Sequence, residues 1–225
     1  MKDETVGYVS DPDRCLDEAG TYAGIILTGL FHDCLPADPL APYQAHMREW
    51  AVSYLCASHP ELGREGPVCP FTAGSINKET FWVGCVERSD LTSEDIEKTV
   101  SGVMAQFFRL PPEDGSGALL KAIVILFPAV TDYRRIDEAQ QRLKDASIPA
   151  GLMVGQFYPG CAEPGIRNPN FKPLQSPIAL LAIRHMVSSD LPFLTAKAQW
   201  IEEYRKRFPL PILVAERERD SGEGC

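Results

Sequence analysis

Residues 59–71 read His-Pro-Glu-Leu-Gly-Arg-Glu-Gly-Pro-Val-Cys-Pro-Phe, a cysteine held between two prolines with a histidine and an arginine upstream. Pro67 and Pro70 fix their own φ and push the residues before them toward extended backbone, so Cys69 is not expected inside a helix. A thiol on so stiff a segment is aimed rather than merely packed. Positive charge from Arg64 and His59 would favour its thiolate, the form that attacks electrophiles or ligates metals. A cysteine beside proline is also a recurring environment for a thiolate on heme iron. The alternative is a buried turn cysteine with no chemistry.

A second group of reactive types lies in residues 160–177, a loop dense in proline and polar side chains. Long ordered loops in compact domains usually carry function. Arg167, Asn168, Asn170 and Lys172 offer donors for a carboxylate or a propionate; the alternative is a rigid surface loop whose prolines only set its path. A third group is Leu-Leu-Ala-Ile-Arg-His-Met-Val at 180–187. On a strand Ile183 and His185 share one face, and Arg184 and Met186 the other. His185 could ligate a metal or act as a general base, or be a hydrogen-bonded core imidazole. Arg184 in an apolar strand requires an anionic partner, either a carboxylate side chain or a bound ligand. His32-Asp33-Cys34 has no second cluster at metal-ligand spacing, and no HExxH, GxSxG or CxxC pattern occurs. Zinc-hydrolase and serine-hydrolase readings are therefore unsupported.

The elements that must position these groups follow from periodicity. Tyr43, Met47, Trp50, Tyr54 and neighbours give a helical apolar face that starts near Pro42 and stops at Pro60. A strand is predicted at 80–87. A helix capped by Thr92-Ser93-Glu94-Asp95 carries Ile96, Val100, Val103 and Phe107. Residues 113–117 read as a solvated loop, and 120–127 as a central strand buried on both faces. A helix with Tyr133, Ile136 and Leu143 follows, then strands at 151–158 and 178–187, then a helix opened by Ser189-Asp190. The order predicts an α/β or α+β fold, one mixed sheet of about four or more strands with helices packed on it, and its last two strands able to pair antiparallel. Residues 1–40, with Gly20, Gly24 and Gly29 punctuating an apolar stretch, read as a partly ordered N-terminal arm that lays that stretch on the body. Residues 41–212 read as the catalytic or binding domain and 213–225 as a flexible tail.

Composition bounds the partners. Of 225 residues, 44% are hydrophobic and 24% charged, with 31 acidic against 22 basic and a net charge of −9. That suits one large globular domain and argues against nucleic acid and anionic membrane. No apolar run approaches a bilayer span, and the acidic start lacks the pattern of a signal peptide. Seven irregularly spaced cysteines, an odd number, fit a reducing, cytoplasmic protein.

Two blocks carry a family resemblance. The 59–71 segment, and Tyr-Pro-Gly followed by Gly-Ile-Arg-Asn-Pro-Asn-Phe-Lys-Pro-Leu-Gln-Ser-Pro and Leu-Ala-Ile-Arg-His-Met-Val between 158 and 187, resemble an uncharacterised bacterial domain family met near specialised-metabolite genes. The second block ends in Asp-Leu-Pro-Phe-Leu at 190–194, and the likeness covers roughly residues 42–208. The element order is also similar to that of the YqcI/YcgG-type heme-dependent amino-acid N-oxygenases. Their Pro-Cys motif reads Val-Cys-Pro here, and their late Ser-Arg pair is absent. This resemblance implies a heme-binding oxidoreductase, an oxygenase acting on a small polar metabolite such as an amino acid. Cys69 or His185 would be the axial and metal ligand. Arg167, Lys172 and Arg184 would face propionates or a substrate carboxylate, and Arg64, His59, Asn168 and Asn170 would line the substrate. Two alternatives stand beside it: a cofactor-free enzyme with Cys69 as nucleophile and His59 or His185 as base, and a non-catalytic small-molecule-binding module. Whether the chain is a homodimer is left open.

Overall fold

The computed structural model describes residues 20–22, 24–34 and 37–209. Its centre is a mixed sheet of strands β1 (Gly20–Tyr22), β2 (Ile25–Gly29), β3 (Phe81–Cys85), β4 (Ala122–Leu126), β5 (Leu152–Phe157) and β6 (Leu180–His185), in the spatial order β1-β2-β3-β4-β6-β5. β3 and β4 are parallel; every other neighbouring pair is antiparallel. The single-sheet α/β architecture expected from the sequence is present. The glycine-punctuated stretch, expected as an arm across the body, instead enters the sheet as β1 and β2. Gly84 permits this, because a Cβ there would meet Ile25 Cγ2 at 2.6 Å.

Alternation along the strands splits the core into two layers. One face carries Trp82, Ile123, Ile125, Leu181, Ile183, Leu152 and Val154, covered by helices α3 (Ser93–Met104) and α5 (Arg134–Ser147) through Ile96, Val100, Val103, Ile136, Ala139 and Leu143. The other face carries Phe81, Val83, Cys85, Val124, Leu126 and Leu180. It is covered by α1 (Gln44–Trp50) and the π-helical turn Ala51–Leu55 that continues it, through Met47, Trp50, Ala51 and Leu55. The predicted cap of α3 forms as read: Thr92 Oγ1 accepts from the Asp95 amide at 3.1 Å, and Asp95 accepts from the Thr92 amide at 2.9 Å.

Three smaller elements complete the body. Short helix α2 (Thr72–Asn77) leads from the cysteine loop into β3. Residues 113–117, expected as loop, begin helix α4 (Gly115–Leu119), with Gly115 at φ +77°. The segment Ser188–Leu194 forms a 3₁₀ turn, so the last helix, α6 (Ala198–Arg207), starts later than the Ser189-Asp190 signal suggested. α6 buries Trp200 and Tyr204 against Met153, Met186 and Leu194. The tail expected at 213–225 lies outside the described residues. Among the described residues no helix is long and apolar enough to cross a membrane.

Candidate functional site: a cleft between two loops

The two loops singled out from the sequence meet over α1. His59 opens a 3₁₀ turn (Pro60–Leu62), and its Nδ1 accepts from the Glu61 amide at 3.2 Å. That bond leaves Nε2 as the proton-bearing nitrogen of the neutral ring. The imidazole stacks on buried Phe171 of the proline-rich loop, with centroids 4.4 Å apart and planes 27° off parallel. Asn168 Nδ2 donates to the Glu61 carbonyl at 2.7 Å, and Gly63, at φ +73°, lies so close to Arg167 that a Cβ would sit 3.0 Å from the arginine's own Cβ. α1 and the π-helical turn that continues it pin the proline-rich loop: Trp50 Nε1 donates to the Gln175 carbonyl at 2.8 Å, and the Tyr54 hydroxyl to the Pro173 carbonyl at 3.1 Å.

Between the loops lies an open cleft of about 300 Å³ lined by Tyr54, His59, Glu61, Asn170, Phe171, Lys172 and Gln175. Lys172 Nζ donates to the Pro169 carbonyl at 3.0 Å, which uses one of its three protons. The cleft thus offers one cation, one carboxylate, an imidazole stacked on a phenyl ring, and two side-chain amides. Of the residues expected at the site, His59, Asn170 and Lys172 line it. Asn168 instead holds the loops together, and Arg167 is exposed beside Gly63. Arg64 closes its own loop by donating to the Glu65 and Val68 carbonyls at 3.0 and 3.1 Å. Tyr54, Glu61, Phe171 and Gln175 also line it: Tyr54 lies on the apolar stripe of the first helix, Glu61 in the 59–71 segment, and Phe171 and Gln175 in the proline-rich loop, and no residue type or spacing marks them as site residues.

Cys69 and His185 do not come together. Cys69 packs, half-buried, against the α1-covered layer, and its amide donates to the Leu55 carbonyl at 2.8 Å. His185 follows Leu181 and Ile183 to the opposite face, where its ring meets Phe107 and Phe108 edge-on at 5.0 and 5.7 Å. The sheet lies between them, so they cannot ligate one ion or serve as a nucleophile–base pair. Among the described residues no three His, Cys, Asp or Glu side chains cluster in a way that could hold a metal ion.

Arg184 does find the anion it requires, and it is a side chain. Nη1 and Nη2 donate to Asp190 Oδ2 and Oδ1 at 2.8 and 2.6 Å, and the guanidinium lies 5.2 Å over the Phe71 ring. This ties the end of the cysteine loop to β6 and meets the guanidinium's need for an anion from within the chain.

His185 has a neighbour that the sequence concealed. Lys121 is 1% exposed and donates to the carbonyls of Phe107, at 3.0 Å, and Leu110. Burial pushes its pKa down. Burial first, then the Lys121 charge, hold the His185 pKa below its ordinary value, which favours the neutral imidazole. Other thiols are poor nucleophiles: burial raises Cys85 to about 12 and Cys34 to about 11.

No curated protein and no solved structure matches the chain. A family match covers residues 44–219, which takes in both loops, the cleft between them and the Arg184–His185 strand. The chain belongs to the family described as "Domain of unknown function (DUF6875)".

Proposed function

We propose that the cleft binds a small zwitterionic metabolite of the amino-acid class. The observation that carries this reading is the pairing of Lys172 and Glu61, opposite charges on one cleft of about 300 Å³, with the His59–Phe171 stack between the two loops that bear them. Lys172 takes the ligand's carboxylate and Glu61 its ammonium. Asn170 and Gln175 supply amide hydrogen bonds, and the ring stack meets the side chain. The volume is at the small end of ligand pockets and too small to enclose a porphyrin. We take the compartment to be the cytoplasm, a reading supported by the free state of Cys34, Cys56, Cys69, Cys85 and Cys161.

The test dissects the two charges. Isothermal titration is run with L-amino acids and with the matching carboxylic acids that lack the amino group. Lys172→Met weakens both ligand sets about tenfold or more, since a charge-assisted hydrogen bond contributes roughly 1.5–3 kcal/mol. Glu61→Gln weakens only the amino acids. Equal binding of both sets by the wild type, or insensitivity to Lys172→Met, refutes the assignment.

A second reading rests on His185 alone. If the chain is a heme-dependent oxidoreductase, His185, beside Phe107 and Phe108, would be the residue that holds the iron. Heme would supply the iron that activates an oxidant. Its Soret band on reconstitution would be lost in His185→Ala and kept in Cys69→Ala. The reverse pattern, or no band at all, removes this reading.

A further inference from the structure

The chain running out of the π-helical turn and the chain running into α2 pair briefly as antiparallel strands. Ser58 bridges Pro67, and the Val68 amide donates to the Ala57 carbonyl at 2.9 Å. Continued two residues beyond the Ser58–Pro67 bridge, this register sets Cys56 opposite Cys69. Pro70 has no N–H to donate to Leu55, so the ladder is offset there and the Cys69 amide takes the Leu55 carbonyl at 2.8 Å. That single bond bounds the distance between the two cysteines. A carbonyl oxygen lies about 2.8 Å from the next Cα across a planar peptide, and N–Cα is about 1.46 Å. Adding the hydrogen bond, the two Cα atoms are at most about 7 Å apart, and the bends at the oxygen and the nitrogen shorten this toward the roughly 4.4–6.8 Å that a disulfide spans.

Both cysteines are half-buried, so both are open to small oxidants, and both are free thiols. They also feel each other: burial and then the charge of Cys69 raise the pKa of Cys56. Cys34, Cys85 and Cys161 lie in other parts of the fold. Cys85 is buried in β3, and Cys161 is buried beside Tyr158.

We propose that Cys56 and Cys69 form a redox-sensitive dithiol that a hydroperoxide closes to a disulfide. The Cys69 thiolate attacks the peroxide: its S–O bond forms, the O–O bond breaks, and hydroxide leaves. Cys56, its proton lost to solvent, then attacks that sulfur. The S–S bond forms, the S–O bond breaks, and a second hydroxide takes up a proton as water. The two thiols give up two electrons and the peroxide is reduced to water. The bond links the exit of the helix that carries Tyr54 to the loop that carries His59, and so fixes one wall of the cleft.

Trypsin separates the two partners, because Arg48, Arg64 and Lys78 bound peptides 49–64 and 65–78. The full chain is treated with hydrogen peroxide, blocked with iodoacetamide and digested without reductant. The expected product is peptide 49–64 joined to 65–78, two hydrogens lighter than their sum and released by dithiothreitol. In Cys56→Ser this species is absent and Cys69 is recovered as a sulfenic acid trapped by dimedone, a readout that needs no activity. Recovery of the two peptides unjoined from oxidised wild type, or either one joined preferentially to the peptide of Cys34, Cys85 or Cys161, overturns the proposal.

Discussion

Replacing Arg184 by alanine tests whether this residue holds the fold or awaits a ligand. The Asp190 side chain is 2% exposed and accepts three hydrogen bonds, two from Arg184 and one from the Val187 amide at 2.8 Å. Arg184→Ala removes two of the three and, among the described residues, the one cation in contact, leaving a buried carboxylate with one donor. Breaking a buried pair in this way costs about 3–5 kcal/mol. Loss of the cation over Phe71 adds about 0.5–1 kcal/mol. Against a domain stability of roughly 5–15 kcal/mol this is a large fraction. Asp190→Asn leaves the other partner behind. Arg184 is 29% exposed and can turn toward water, so this change costs only about 1–3 kcal/mol. Urea unfolding followed by tryptophan fluorescence reads both, with Arg184→Ala the worse of the two. A loss below about 1 kcal/mol for Arg184→Ala, or a larger loss for Asp190→Asn, refutes the argument and returns Arg184 to the list of ligand-binding groups.

Lys121→Met strands two buried carbonyls and costs about 2–3 kcal/mol in urea unfolding; because it also removes a charge facing His185, the His185 midpoint in an NMR titration rises toward, without reaching, about 6.5. His185 is depressed in the folded state, so the unfolded chain binds the extra proton: its contribution to stability is whole above about pH 6.5 and is lost as pH falls from there through the folded pKa, and His185→Gln flattens that part of the stability profile. Thr92→Ala removes the acceptor of the α3 capping box and lowers stability by about 1 kcal/mol, with the unfolding slope unchanged.

What could be read in the chain and what could not divides along local and non-local lines. The Thr92–Asp95 cap, the unbroken apolar run of β4 and the antiparallel pairing of β5 with β6 all came from neighbours in sequence. The demand that Arg184 find an anion was also local, but that Asp190 would meet it, six residues on, depended on how a 3₁₀ turn folds back. The alternation of Arg184 and His185 along β6 was legible, whereas the face that would receive the cysteine loop was not. A period-2 pattern says that two side chains part and never which layer each joins. For that reason the expectation that Cys69 faces His185 fails, while the expectation that the two proline-rich loops carry the site gains a cleft. Lys121 is the one charged residue in the 120–127 run; the carbonyls of Phe107 and Leu110, brought back by the turn after α3, explain its burial. β1 and β2 were hidden by glycines that suggested looseness, when Gly84 on a distant strand was making room for them.

The central claim is that a zwitterion sits between the 54–61 and 170–175 segments, and amide NMR reads its location directly. Titrating the ¹⁵N-labelled chain with a panel of L-amino acids should move the signals of His59, Glu61, Asn170, Phe171, Lys172 and Gln175 together, with one common affinity, and leave Phe107, Lys121 and His185 unmoved. A panel in which no amino acid shifts those amides, or in which the responding signals belong to the His185 face of the sheet, contradicts the account.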